Sequence, residues 1–538
     1  MPIEILESRI APAGILVVTL ADSGPGSLRN AIDLANSNGD TSNDISFANG
    51  LHGTIKLKSS LPVITSSITF NVLTGAHVVI DGGNASQLFN IQGSQLAVNL
   101  SNLTLTRGSS GYGGALYVND YQGTVKLNSC TITKCRAVGS TADSHLSGIG
   151  GAIDLQAGTL TLSATTVSGN TAIGIASSPT RLYGGNAEGG GIYVAPASTL
   201  NLVSAVVTHN SALGAKGANG AAGAAGAAGS AGVDGGGGGS GGAAQGGGIW
   251  SYGTVTTSNS TISGNIALGG KGGNGGAGGR GGSGANGGAG GGGGYSGMAF
   301  GGGIYSTGVL TLNNSTISGN IASGATGGRP GAPGAAGAHG HAGYKGFVPP
   351  ASTGYGGGIH SQNSTLNLIQ DTVANNTAGQ GGGLFVNMDT TANLNNSTIA
   401  FNKALQPGMG GGLWAYLDYN QDPVTVISTV IARDSTSKTG PGQDLFMSMG
   451  SITASYSVVQ SVSAGSVTEA VDGTVLENTN PLLGPLHQNG GQTLTCAPVA
   501  LKSPLLGAGM NPDNLTRDQR GLPRMLGGTI DIGSVEIA

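Results

Sequence analysis

Charged side chains make up only 9% of this 538-residue chain, so the places where acid–base chemistry could occur can be taken one by one. Asp154, Arg181 and Glu188 fall in neighbouring stretches of similar pattern, and Asp418 and Asp422 share a segment near Arg433 and Asp434. Two carboxyl groups within about 10 Å can cleave a glycosidic bond, and carboxylates can also hold calcium beside an arginine for polysaccharide elimination. Asp154, Glu188, Asp418 and Asp422 are therefore the candidate catalytic residues, against the plainer reading that all are isolated solvated charges. His339-x-His341 lies among glycines, without carboxylates or cysteines nearby to complete a metal site. Asp234, in Gly-Val-Asp-Gly, lacks the nonapeptide period of calcium-binding β-rolls. Calcium thus has no support, and no cofactor is expected.

These residues must be positioned by a repeat. Between residues 113 and 384 the chain writes G-G-[AG]-[IL] seven times, with an eighth copy at 410–413. About 14 to 17 residues after each start comes [IV]-x-x-N, as in Gly301-Gly302-Gly303-Ile304 followed by Ile317-Ser318-Gly319-Asn320. A unit of roughly 22 to 25 residues cannot bury its own apolar side and must stack on its copies. Within each unit apolar residues alternate with Ser, Thr and Asn, as in Leu310 and Leu312, which reads as short strands and turns. The predicted fold is all-β: a right-handed parallel β-helix of about 12 to 15 coils, 55 to 70 Å long at about 4.8 Å per coil. The Gly runs lack the Lys-[Ser/Thr] of a phosphate loop and precede strands, so they mark tight corners.

Asn170, Asn210, Asn265, Asn320, Asn376 and Asn402 recur at one place in successive units. A column of stacked amides there would be a structural ladder; Cys135 takes the place in an early unit and Asp434 in a late one. The Asn-Ser-Thr triplets at Asn259, Asn314, Asn363 and Asn396 match a glycosylation sequon, but the repeat already accounts for them. Cys130 and Cys135 are predicted within one strand, too far apart to bridge, and Cys496 stands alone. All three are expected to be small buried side chains.

Insertions fall between the Asn mark and the next Gly run: 138–149, 173–188, three of 33 residues at 213–245, 268–300 and 323–355, then 379–380 and 405–409. Such insertions emerge from one side of a solenoid, and three equal ones would lie side by side as a blade. Glycine at every third residue is collagen-like, but two of the three lack proline, which argues against a stable triple helix. Packed polyglycine-like strands are the favoured reading and flexible loops the alternative.

Residues 1–44 depart from the repeat. They offer a strand over 15–20, a turn at 23–27, and a helix from Leu28 to Ala35 that would plug the first coil. Glu4 and Glu7 precede Arg9, and no long apolar core follows, so no secretory signal is recognisable. The repeat occupies 45–479. From 480 to 538 the chain changes again, with Asn480-Pro481-Leu482-Leu483-Gly484, His487-Gln488-Asn489-Gly490-Gly491-Gln492-Thr493, Asp518-Gln519-Arg520-Gly521-Leu522-Pro523-Arg524 and Asp531-Ile532-Gly533-Ser534-Val535-Glu536. These residues resemble the choice-of-anchor Q domain at the carboxyl end of bacterial secreted β-helix proteins. In that setting Asp518 and Arg520 are expected to be a structural ion pair. The repeats, over roughly residues 100–440, are similar to those of polymorphic outer-membrane proteins, with Ile or Val replacing Phe. The two resemblances imply a secreted or surface-exposed chain, often adhesive.

The net charge of −4 and the absence of a basic run argue against nucleic acid. No stretch reaches the 18 or more apolar residues of a membrane-spanning helix, and the alternating strands of a transmembrane barrel are missing. The leading expectation is a non-enzymatic surface or secreted β-helix with adhesin-like binding to surface glycans or to proteins of host or neighbouring cells. Aromatic residues are only 4% of the chain, which predicts shallow, polar contacts. A polysaccharide lyase or glycoside hydrolase is the second expectation, and a self-associating surface element the third.

Overall fold

A computed structural model of the chain describes residues 13–72, 77–141, 146–176, 183–417, 423–438, 443–462 and 467–537. Of the residues singled out above, Glu4, Glu7, Arg9, Arg181, Asp418 and Asp422 lie outside them.

The chain winds as a parallel β-helix. Each turn contributes strands to a broad 22-stranded sheet (sheet I), a 13-stranded sheet (sheet II) and, in the middle coils, sheets of eight and five strands (III and IV). Thirteen rungs at about 4.8 Å give a sheet roughly 58 Å long. Strands pair with their copies in the next coil: Val309–Asn313 lies against Thr365–Ile369, and Thr316–Ser318 against Thr372–Ala374. Alternation decides which side chains enter the rod. In Thr261, Ile262 and Ser263 only Ile262 points inward, and it stacks on Ile317, Val373 and Ile399, all fully buried. Burying each is worth about 1.5–3 kcal/mol, and one apolar column runs continuously through the rod.

The corners carry the polar marks. At Gly301 the backbone turns with φ +60, and a Cβ on Gly302 would stand 2.4 Å from the Gly357 carbonyl of the next coil. Glycine is required there both for handedness and for space. Behind this corner, 3.0 Å from where a Gly303 Cβ would lie, runs the amide ladder. Each Asn accepts at Oδ1 from the amide Nδ2 and backbone N–H of the preceding one, and its own Nδ2 also donates to a strand carbonyl. Asn265 to Asn320 is 3.0 Å and Asn320 to Asn376 is 2.9 Å. Cys135 caps one end, its N–H donating to Asn170, and Asp434 accepts from Asn402 at the other. Cys130 and Cys135 are free and occupy two successive bends, not one strand; Cys496 is also free and buried. A second ladder, of hydroxyls, follows the sequon bends. Ser260, Ser315, Ser397, Thr429 and Ser457 accept from the neighbouring backbone N–H, and Asp371 takes the same part in the middle. Asn259, Asn314 and Asn396 hold φ of 49–51 just before these hydroxyls, a left-handed turn that asparagine tolerates. The fourth sequon, at Asn363, falls elsewhere in its coil, in the turn before strand Thr365–Ile369, so the repeat does not account for it.

The first strand, Ala13–Val17, already pairs with Asn43–Phe47, so the coil begins inside the amino-terminal segment. It ends before residues 18–20 because Val18 turns to donate to Gly26. Helix Leu28–Ser37, N-capped by Ser27, buries Leu28, Ala31, Ile32 and Ala35 over the first coil. At the other end, residues 480–537 run back along the outside of sheet II. Leu483, Leu505 and Ile532 pack on Ala400, Val430 and Val458, and Gln519 bonds to Ser315 and Thr372. The terminal motifs knot this strap. Asp518 pairs with Arg520 at 2.7 Å, and buried Arg524 donates to Asn396 on the rod while facing Glu536 at 3.9 Å.

The three 33-residue insertions are ordered hairpins stacked as a blade. Gly217, Gly220, Gly223 and Gly226 donate to Lys271, Asn274, Ala277 and Arg280 of the second hairpin at 2.8–2.9 Å, and the second bonds to the third in the same way. One hydrogen bond every third residue is the period of polyproline-II-like chains, which bond only to neighbours. Close packing demands glycine: a Cβ on Gly328 would meet the Gly273 carbonyl at 1.7 Å.

Candidate functional site

After each Gly corner the strand of sheet I begins with an inward Ile or Leu, so the next residue must face outward. That residue forms one register column: Tyr117, Asp154, Tyr193, Trp250, Tyr305, His360, Phe385, Trp414 and Phe446. Beside it, across the Gly corner, sheet IV supplies Ile149, Glu188, Gln245, Phe300 and Tyr355. These side chains lie outside the rod, yet they cover one another. Trp250 and Phe385 are each only 4% exposed. Ring centroids stand 5.0 Å apart for Tyr193–Trp250, 5.0 Å for Tyr305–His360, 4.7 Å for His360–Phe385 and 4.4 Å for Phe385–Trp414. Such pairs contribute about 0.5–1.5 kcal/mol beyond their burial.

The scarce aromatic residues are thus concentrated, not scattered, and both tryptophans of the chain sit in this seam. The 4% aromatic content hides this grouping, in which the rings largely bury one another. The signal was in the repeat itself: Gly-Ile-Tyr193, Gly-Ile-Trp250, Gly-Ile-Tyr305, Gly-Ile-His360, Gly-Leu-Phe385 and Gly-Leu-Trp414 share one frame.

Two open grooves lie along the seam. One, of about 440 Å³, is lined by Gln87, Asn90, Gln92, Tyr112, Tyr117 and Gln156. The other, of about 380 Å³, is lined by Met298, Phe300, Tyr355, His360, Phe385 and Trp414 among others. Six coil steps separate Tyr117 from Phe385, or about 29 Å, and the rings of Tyr193, Trp250 and Tyr305 bridge the interval. His360 is an anomaly within the second groove. Burial drives its imidazole down to about 3, so it is neutral, and neither ring nitrogen has a hydrogen-bond partner among the described residues. Among the described residues the indole N–H of Trp414 is unpartnered too. Buried polar groups without partners are rare and call for explanation.

The seam also brings together two of the sequence-predicted acids. Asp154 is fully buried; Gln156 donates to its Oδ1 at 2.9 Å, and Oδ2 has no partner among the described residues. Burial pushes Asp154 up to about 7, and the nearby charge of Glu188 adds to the rise. Glu188, in the adjoining column, also rises to about 7 through burial, opposed by hydrogen bonds from Asn186 and Ser147. The other acidic group divides differently. Asp434 ends the amide ladder, and its N–H donates to Asp444 at 2.7 Å. Burial raises both carboxyls; the charge of Asp444 adds to the rise of Asp434, whereas hydrogen bonds from Asp434 and Ser461 oppose the rise of Asp444, which reaches about 7. Asp234 stitches blade layers by accepting from the Ala289 N–H at 2.6 Å, and His341 receives no metal-like surroundings: its N–H donates to Asn286. Among the described residues no group of three or more His, Cys, Asp or Glu side chains is placed to hold a metal ion.

No family model matches this chain, and no curated protein is similar to it in sequence.

Proposed function

We propose that this chain is a secreted or cell-surface β-helix that works by binding, in the manner of an adhesin, and that its ligand is an extended polysaccharide laid along the aromatic seam. The observation that carries this reading is the outward, mostly aromatic seam, with an amide-rich groove and an apolar groove about 29 Å apart along it. Sugar rings present apolar faces to aromatic side chains and hydroxyls to amides, the two kinds of surface these grooves offer. A span of that length favours a chain over a single sugar. The likeness of residues 480–537 to the choice-of-anchor Q domain, and of the repeats to polymorphic outer-membrane proteins, supports the surface location. Among the described residues no helix is long and apolar enough to cross a membrane.

The test is a broad polysaccharide array probed with purified protein, recording retention and any released oligosaccharides by mass spectrometry. Retention without products supports binding, and Tyr305→Ala together with Trp414→Ala should abolish it. Protease treatment of intact source cells should remove the protein; protection inside the cell would sink the surface reading.

One observation favours an enzymatic reading as the alternative: Asp154 and Glu188 both rise to about 7, and Glu188 contributes to the rise of Asp154. Paired carboxyls held near neutrality can serve as acid and base in glycoside cleavage. Released oligosaccharides that disappear in Asp154→Asn would establish that reading in place of the first.

A further inference from the structure

The blade is electrically distinct from the rod that bears it. Its three hairpins hold Lys216, Lys271, Arg280, Arg329 and Lys345 against the single acid Asp234, a net of +4 in a chain whose total is −4, so the remainder carries −8. The segregation is sharper still within the blade. The outgoing strands, 213–229, 268–284 and 323–339, contain no acid at all, and they hold four of the five cations.

Their placement follows from the three-residue period. In each outgoing strand, glycine packs against the next layer and the intervening positions project outward; Lys216, Lys271, Arg280 and Arg329 are all exposed. Lys216 and Lys271 lie on adjacent strands, joined by the hydrogen bond from Gly217 N–H to the Lys271 carbonyl at 2.9 Å. Arg280 stands nine residues further along the second hairpin, about 28 Å at 3.1 Å per residue. Arg329 falls between, on the third. None of the four forms an ion pair among the described residues. At the foot of this edge an open groove of about 520 Å³ is lined by Lys216, Lys271, Thr326 and the backbone of 268–270. The backbone N–H groups of Lys216 and Lys271 take no part in the blade's hydrogen bonds. Two unpaired like charges held side by side over a groove repel each other unless an anion lies between them.

We infer that the outgoing edge of the blade is a second binding surface, for an anionic polysaccharide of the uronate type, with the Lys216–Lys271 groove as its anchoring point. A linear polyanion matches the geometry, since the cations lie along one extended edge instead of converging on a small pocket. This surface is independent of the aromatic seam, and salt separates the two: charge contacts at an exposed edge are screened, whereas ring stacking is not.

The test is affinity electrophoresis of the full chain through gels containing polygalacturonate or neutral dextran, at low and at 0.5 M (roughly 4 Å screening length) salt. Retardation by polygalacturonate should be strong at low salt and lost at high salt. It should fall at least about tenfold in a variant combining Lys216→Gln, Lys271→Gln, Arg280→Gln and Arg329→Gln, given several exposed charge contacts removed together. Lys345→Gln, on the returning strand, should leave it unchanged. Resistance to thermolysin confirms that the blade of each variant is folded. Equal retardation of the fourfold variant and the parent would overturn the inference. So would concentration-dependent self-association in sedimentation that the fourfold variant loses while polygalacturonate is never bound, because the acidic rod of a second copy would then be the partner. Neutral-glycan binding at the seam should survive in every one of these variants.

Discussion

Asp154→Asn tests the electrostatics of the seam most directly. The carboxyl is fully buried, and it stays protonated up to about 7 instead of its ordinary 3.8. The unfolded chain releases that proton above about pH 4, whereas the folded chain keeps it to about 7. A group raised in this way stabilises the fold fully below pH 4 and loses that contribution as the pH rises through 7. Three pKa units at 1.36 kcal/mol each amount to about 4 kcal/mol. Asparagine cannot ionise, so the variant lacks this slope. It keeps the acceptor for Gln156 but places an amide N–H where Oδ2 now has no partner, at a cost of about 1–3 kcal/mol. The variant should therefore be slightly less stable than the parent at pH 4.5, and more stable at pH 8 by about 1–3 kcal/mol. Urea unfolding followed by the fluorescence of Trp250, two rungs away on the same column, reads the relevant coils. Midpoints of parent and variant that run parallel from pH 4.5 to 8 would refute the reasoning, for they would mean that Asp154 does not titrate in that range.

His360→Phe should stabilise the rod. Its imidazole is depressed to about 3, so stability falls as the pH drops from about 6.5 towards 3; phenylalanine removes both that loss and the unpaired nitrogens. A gain of about 1–3 kcal/mol at pH 7, widening at pH 5, is expected in the same urea assay. Asn320→Leu breaks the ladder at its centre, taking the acceptor from the N–H and Nδ2 of Asn265 and the side-chain donor from the Ile262 carbonyl; a loss of about 3 kcal/mol or more should appear as a lowered urea midpoint. Gly276→Ala would place a Cβ 1.9 Å from the Ala221 carbonyl, so trypsin should cut at Lys271 and Arg280 much faster while the circular dichroism of the rod stays unchanged. Arg524→Ala leaves Glu536 and Asn396 without their partner and should free the terminal strap, costing about 3–5 kcal/mol locally and exposing Cys496 to thiol reagents.

The fold was legible because every coil repeats the same frame. Inward residues such as Leu310 and Leu312, the Gly corner and the Asn column follow from one period, and each copy reinforces the others. The seam obeys that period equally, but reading it requires asking which residue after Gly-Gly-Ile faces out, and composition alone hides the answer: a few rings in 538 residues look sparse until register stacks them. The pairing of Asp154 with Glu188 was only partly legible, since the Gly corner between them must turn before their columns adjoin. The strap was not legible in this way at all. Its contacts span more than a hundred residues, Arg524 to Asn396 and Gln519 to Ser315, and no local pattern encodes them.

The blade shows how much a triplet can record once the packing rule is known. The second hairpin, enclosed between two layers, reads Gly-Gly-Lys, Gly-Gly-Asn, Gly-Gly-Ala and Gly-Gly-Arg; the outgoing strand of the first, with a neighbour on fewer sides, reads Gly-Ala-Lys, Gly-Ala-Asn and Gly-Ala-Ala. In the enclosed strand two of the three positions meet carbonyls within Cβ range: Gly272 meets Gly294 at 1.9 Å and Gly273 meets Ala218 at 1.8 Å. In the outer strand only one does, as at Gly217 against Gly239. After Gly327-Gly328-Arg329 the third hairpin returns to one glycine per triplet and adds Pro330 and Pro333, residues without an N–H to offer another layer. Glycine density therefore counts neighbours, and its decline marks where stacking ends. Equal length alone could reflect duplication, but graded glycine content could not: three unselected copies would carry the same triplets, whereas these three differ as their positions in the stack demand.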